Sequence, residues 1–134
     1  MAKLYRSREG EATAVDTKTQ LTTLGSETSP GPLLVPAGAT KIVGIIIAAI
    51  MNFAAATSYS AFIRLEGPGL PGGPEVIAAG AGGVPVATGG NFVIPARFLA
   101  MDIPVTAANE VLIFAEMAGT DVGQVSVGVT LVFA

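Results

Sequence analysis

The carboxylates beyond residue 32 are Glu66, Glu75, Asp102, Glu110, Glu116 and Asp121. Two carboxylates work on a glycosidic bond only when they lie within about 10 Å of each other. Glu110 and Glu116 are six apart in sequence and share one apolar segment. On an extended chain they fall on the same face, but about 20 Å apart, which is too far for that chemistry. None of the six sits in a D-x-[DN]-x-[DN]-G loop, and a calcium ion could be held only by Asp121 with neighbouring carbonyls. Serine and threonine are plentiful, but the chain has no His and no Cys to activate them or to replace them as nucleophiles. The one lysine after residue 32 is Lys41, and no S-x-x-K motif lies near it. The common zinc ligand sets and disulfides are excluded on the same ground. The stretch Gly80-Ala81-Gly82-Gly83 could cradle a phosphate, but neither GxxxxGK[ST] nor GxGxxG is present. The residues therefore assign no catalytic, cofactor-binding or metal position, and the chain reads as a non-enzyme that binds no cofactor.

Two cations stand out. Arg64 and Arg97 each sit in an apolar, strand-like context. An arginine so placed either pairs with a carboxylate, often across an interface, or snorkels at a sheet edge. Glu66, Asp102 and Glu116 are the candidate partners. A sugar-binding platform needs several aromatic faces. Here there is no Trp, and only Tyr5 and Tyr59 carry a phenol.

The elements that would position these residues are strands. Lys41–Phe53, KIVGIIIAAIMNF, is the longest apolar run, with β-branched residues on both parities. Such a strand needs cover on both faces. It is too short for a membrane helix, which takes about 20 apolar residues. Gly44 and the region of Asn52 are places where it could kink. Tyr59 to Glu66 alternates cleanly, with Ala61, Ile63 and Leu65 opposed by Phe62, Arg64 and Glu66. Gly67 to Gly73 is a loop by composition, and Val76-Ile77 and Val84 to Val86 fit two short strands. Asn91 to Met101 contains Pro95, which suits an edge strand or a bulge. Val111 to Met117 and Val125 to Phe133 read as a closing hairpin around Gly119-Thr120-Asp121.

Residues 1–32 differ in kind. The first thirty positions hold four cations (Lys3, Arg6, Arg8, Lys18) and four carboxylates (Glu9, Glu11, Asp16, Glu27), and Ser29-Pro30-Gly31-Pro32 separates them from the rest of the chain. The segment reads as a polar arm, 1–32, that contacts neighbouring subunits, with the domain proper at 33–134. Ala14 to Thr23 alternates and could add to a sheet edge. The start of the chain lacks an apolar signal core.

Seven to nine closely spaced strands and no helix predict an all-β antiparallel β-sandwich of jelly-roll type. Half the residues are hydrophobic and 13% are charged, against about 25% in ordinary soluble domains. That deficit points to a chain that covers its surface with copies of itself. A net charge of −3, and cations followed at once by Glu9 and Glu11, do not indicate a nucleic-acid partner.

The polar arm, the lead VPAGATKIVGI into the long strand, the Gly/Pro-rich centre and the pair EVLIFAEM and GQVSVGVTLVF stand together in this chain. In these features Val35 to Ala134 resembles the small jelly-roll proteins that build or decorate viral capsids. The resemblance implies a non-enzymatic capsid or decoration (cement) subunit of the virion. It further implies a homo-oligomer, commonly a trimer, with other capsid proteins as partners and no membrane. It carries no functional residue over. The alternatives are a β-sandwich module binding a carbohydrate or cell-surface ligand, and a membrane-associated protein.

Overall fold

The structure, a computed structural model, describes residues 3–12, 17–24, 31–53, 59–78, 90–119 and 123–134. These residues form nine strands and no helix: β1 (Leu4–Ala12), β2 (Thr19–Gln20), β3 (Leu33–Leu34), β4 (Lys41–Phe53), β5 (Tyr59–Glu66), β6 (Glu75–Ala78), β7 (Gly90–Pro104), β8 (Glu110–Gly119) and β9 (Gly123–Phe133). All pairings are antiparallel. One sheet runs β1-β9-β4-β7 and the other β2-β8-β5-β6, with β3 also on β8. Early and late strands thus interleave in both sheets, which is the strand order of a jelly roll. The all-β sandwich expected from strand spacing is the fold observed.

The core lies between the sheets. Its largest members are Phe133, Leu131, Ile42, Ile45 and Ile47 from the first sheet and Ile63, Leu65, Ile113 and Met117 from the second, each essentially without exposure. β4 has the bounds its composition suggests, and its kink is at the expected glycine. The register shifts between Ile42 and Gly44 against both neighbours. This bulge lets Ile42 and Ile45, three apart, both point inward. β7 is the sheet edge, and it bulges where Ile47 opposes Arg97 but Ala49 opposes Ile94, which places the irregularity at Pro95 and Ala96. Both readings of that proline therefore hold. Ile103-Pro104 belongs to the same long strand.

Two expectations are overturned. β8 and β9 do not form a hairpin, because they lie in opposite sheets and the chain crosses the sandwich between them. Nor do the first residues stand apart from the body. β1 pairs along its full length with β9 of the same chain, from Leu4 opposite Phe133 to Ala12 opposite Val125. Ala12 and Leu21 are core residues. Among the described residues of the Ala14 to Thr23 stretch, strand pairing occurs at Thr19–Gln20, while Thr23 bridges Glu9. The arm looked polar because an edge strand has little opposite it, so that Arg6 stays exposed on the inward parity of β1 while the more central strands carry valines and isoleucines. The Val84–Val86 strand, Asp121 and the Gly80–Gly83 stretch lie outside the described residues.

One end of the sandwich is knitted by its connections. Val35 N–H donates to Asn109 O, Ala108 N–H to Val35 O, Thr106 N–H to Gly69 O and Val105 N–H to Thr40 O, at 2.9–3.0 Å. Gly67 (φ 113°) opens a turn that brings Gly69 N–H to Glu110 O at 2.8 Å, so close that a side chain at Gly69 would strike that carbonyl.

Candidate interaction surface

Each sheet turns one face to the core and one outward, and the outward face of β1-β9-β4-β7 is the less ordinary. Pairing register sets its composition. Going across the sheet, one row is Ser7, Thr130, Ile46 and Phe98. The next row toward the knitted end is Tyr5, Val132, Gly44 and Ala100. On the other side come Glu9, Gly128 and Ala48, then Glu11, Ser126 and Ile50. Two side-chain hydrogen bonds confirm that these residues share a face: Ser7 Oγ with Thr130 Oγ1 at 2.6 Å, and Ser126 Oγ donating to Glu11 Oε1 at 3.2 Å.

The face is apolar and uneven. Tyr5, Ile50 and Phe98 are 56%, 50% and 53% exposed. A side chain added at Gly44 would run into the Phe98 ring, so this ring lies across the glycine. At Gly128 an added Cβ would meet nothing within 4 Å. That glycine floors a hollow of about 560 Å³ with Ala48, walled by Ile50, Pro95 and Ala96 on one side and by Glu9, Glu11 and Thr23 on the other. The charged groups of the hollow are both carboxylates.

The outward face of the second sheet carries ion pairs beside the exposed Leu34 and Val76. Arg64 Nη2 donates to Glu116 Oε1 at 3.0 Å. This hydrogen bond and charge hold the guanidinium above its already high pKa, against the opposing effect of desolvation. Its Nε is buried without a hydrogen-bond partner. Lys18 Nζ meets Glu66 at 2.7 Å and lies 4.7 Å from the centre of the Phe114 ring. Of the carboxylates named from sequence, Glu116 is therefore the partner of Arg64, and Glu66 belongs to Lys18. Asp102 faces Lys41 at 3.7 Å, with both side chains exposed. Arg97 is an exposed residue of the β7 edge. Glu110 and Glu116 stand near opposite ends of β8, one opposite Leu34 and the other opposite Phe62.

Sequence reading missed the outer face. Its signal was present in the small residues Gly44, Ala48 and Gly128 on otherwise β-branched strands. They form one surface only through a register that joins β9 to β4 across the chain.

No family model matches the chain, and no curated protein matches it. Solved structures do resemble it. That of infectious bursal disease virus, Gt strain, is 17% identical, covers 96% of this chain and 33% of its own, and has a TM-score of 0.40. The crystal structure of the T13 IBDV viral particle is 13% identical over 98% of this chain and 35% of its own, with a TM-score of 0.38. That of the Gx strain is 15% identical over 96% and 37%, with a TM-score of 0.32. The chain thus spans about a third of the length of the chains it matches, and the jelly-roll assignment stands on the strand order described above.

Proposed function

We propose that this protein is a non-enzymatic structural subunit that assembles with copies of itself, as a capsid or decoration protein of a virion. The observation that carries the reading is the outer face of β1-β9-β4-β7. It leaves Tyr5, Ile50 and Phe98 half exposed on a sheet with small residues between them. A chain with only 13% charged residues has little else to keep such a face in water. Covering one large apolar side chain contributes about 1.5–3 kcal/mol. Association itself costs roughly 4–15 kcal/mol, so the three exposed residues need the rest of the face to act with them.

The N-terminal segment takes part while remaining in its own sheet. β1 is an edge strand whose odd-numbered residues point outward, and neighbouring subunits meet those side chains. The expected assembly is a homo-oligomer built on a three-fold axis, with other shell proteins as further partners. Light scattering or sedimentation of the purified protein at micromolar concentration tests the reading. A particle of three or more chains is the expected result. A monomer at that concentration overturns it.

A further inference from the structure

On the outer face, β1 presents its odd-numbered residues Tyr5, Ser7, Glu9 and Glu11 in one line, and Lys3 precedes the strand at the next odd position. The line is self-complementary when reversed about Ser7, since Lys3 then faces Glu11 and Tyr5 faces Glu9. Register extends the symmetry to the whole sheet. Reversal about the row Ser7, Thr130, Ile46 and Phe98 lays the Val132 and Gly44 row over the Gly128 and Ala48 row. The first of these rows carries a projecting phenol at Tyr5, and the second is the hollow.

Resting on the self-assembly reading, we infer that two copies pack sheet against sheet through this face, about a two-fold axis lying along the Ser7–Thr130–Ile46–Phe98 row. Ile46 meets Ile46 of the second copy at the centre. Tyr5 enters the second copy's hollow over Gly128, beside Glu9. Lys3 approaches the second copy's Glu11. The contact is isologous, so each of these pairings occurs twice.

Charge complementarity selects this occupant. Both charged groups of the hollow are anionic, and the exposed cation Lys3 stands just before the strand that carries Tyr5 on this face. Lys41 and Asp102, already paired with each other, stand at the far corner and add no net charge. Four strands by the length from Lys3 to Glu11 give a footprint of about 500 Å² per copy. The two footprints together fall near the lower limit for stable interfaces, about 1,000–1,200 Å². The contact is therefore a weak one that joins pairs within a larger assembly, whatever the copy number around another axis.

Charge exchange tests it, read as the dissociation constant of the two-fold contact by sedimentation at low and moderate salt. Lys3→Glu and Glu11→Lys each set like charges against each other twice, and each should weaken the contact about tenfold. The double variant Lys3→Glu/Glu11→Lys restores the pairing and should return to within about threefold of the parent. Gly128→Leu projects into the hollow from a position where an added Cβ meets nothing within 4 Å. It should keep its melting temperature and lose the contact. Single variants that leave association unchanged, or a double variant no better than the singles, overturn this contact while leaving self-assembly through other surfaces intact. A monomeric parent protein overturns both.

Discussion

At the residue scale, the closest approach is not the most consequential one. An added Cβ at Gly44 would run into the Phe98 ring, and at Gly69 it would lie 2.8 Å from both Glu110 O and Val111 Cγ2. Phe98 is half exposed and can swing into solvent. The Glu110 carbonyl is held by two constraints, its hydrogen bond from Gly69 and the β8 strand itself. Gly69→Ala should therefore destabilise by about 1–3 kcal/mol and Gly44→Ala by less than about 1 kcal/mol. Urea melts of the two variants check the order, and the reverse order would refute this account. Parity along β4 makes a second contrast. Ile47 has no exposure, whereas Ile46 points outward. Ile47→Asp buries an unpaired charge at several kcal/mol, comparable with the whole stability of a domain, and should yield no folded protein. Ile46→Asp should fold, giving the circular dichroism of the parent but a smaller particle.

At the element scale, β1 carries the strongest expectation. Its removal would leave β9 with one neighbour instead of two and would strip the core of Ala12. Deleting residues 1–12 should lower the melting temperature by more than about 10 °C or abolish folding, since losses of several kcal/mol move small domains by that much. A truncated protein that melts like the parent would mean the strand is dispensable. The elements themselves were legible in part. β4 and β5 have the bounds that their apolar run and alternation suggested, because side-chain periodicity reports which face of a strand is wet. Periodicity is silent on partners. Val125 to Phe133 alternates equally well beside β8 or across the sandwich from it, so nothing in the alternation distinguishes a hairpin from a crossover. β1 escaped notice because an edge strand needs little apolar surface. The ion pair of Arg64 was foreseen to the extent of three possible acceptors, and choosing Glu116 required the register of β5 on β8. The outer-face hollow was legible only as the isolated small residues Ala48 and Gly128, as its walls come from β1, β4, β7 and β9 together.

At the scale of the whole molecule, the first sheet is held by pairings between the two ends of the chain. Ser7 and Thr130, joined by their hydroxyls, are 123 residues apart. Topologies of this kind fold on the order of milliseconds to seconds, since loops must close before contacts reward them. Refolding from urea, followed by stopped flow, should show a main phase in that range. A microsecond main phase would be incompatible with β1 and β9 pairing late.

The same end-to-end pairing has a consequence for synthesis. On a ribosome adding about 5–20 residues per second, roughly 6–25 s separate the appearance of β1 from that of its partner strand β9. Once made, β4 waits for the rest of that interval without β9 and, at first, without β7, and its isoleucines have no sheet to join. The growing chain thus carries a sticky, unfinished half-sheet until β9 emerges. Nascent chains stalled ahead of β9 should be cut readily by protease and captured by chaperones, and both susceptibilities should vanish together once β9 is free of the exit tunnel.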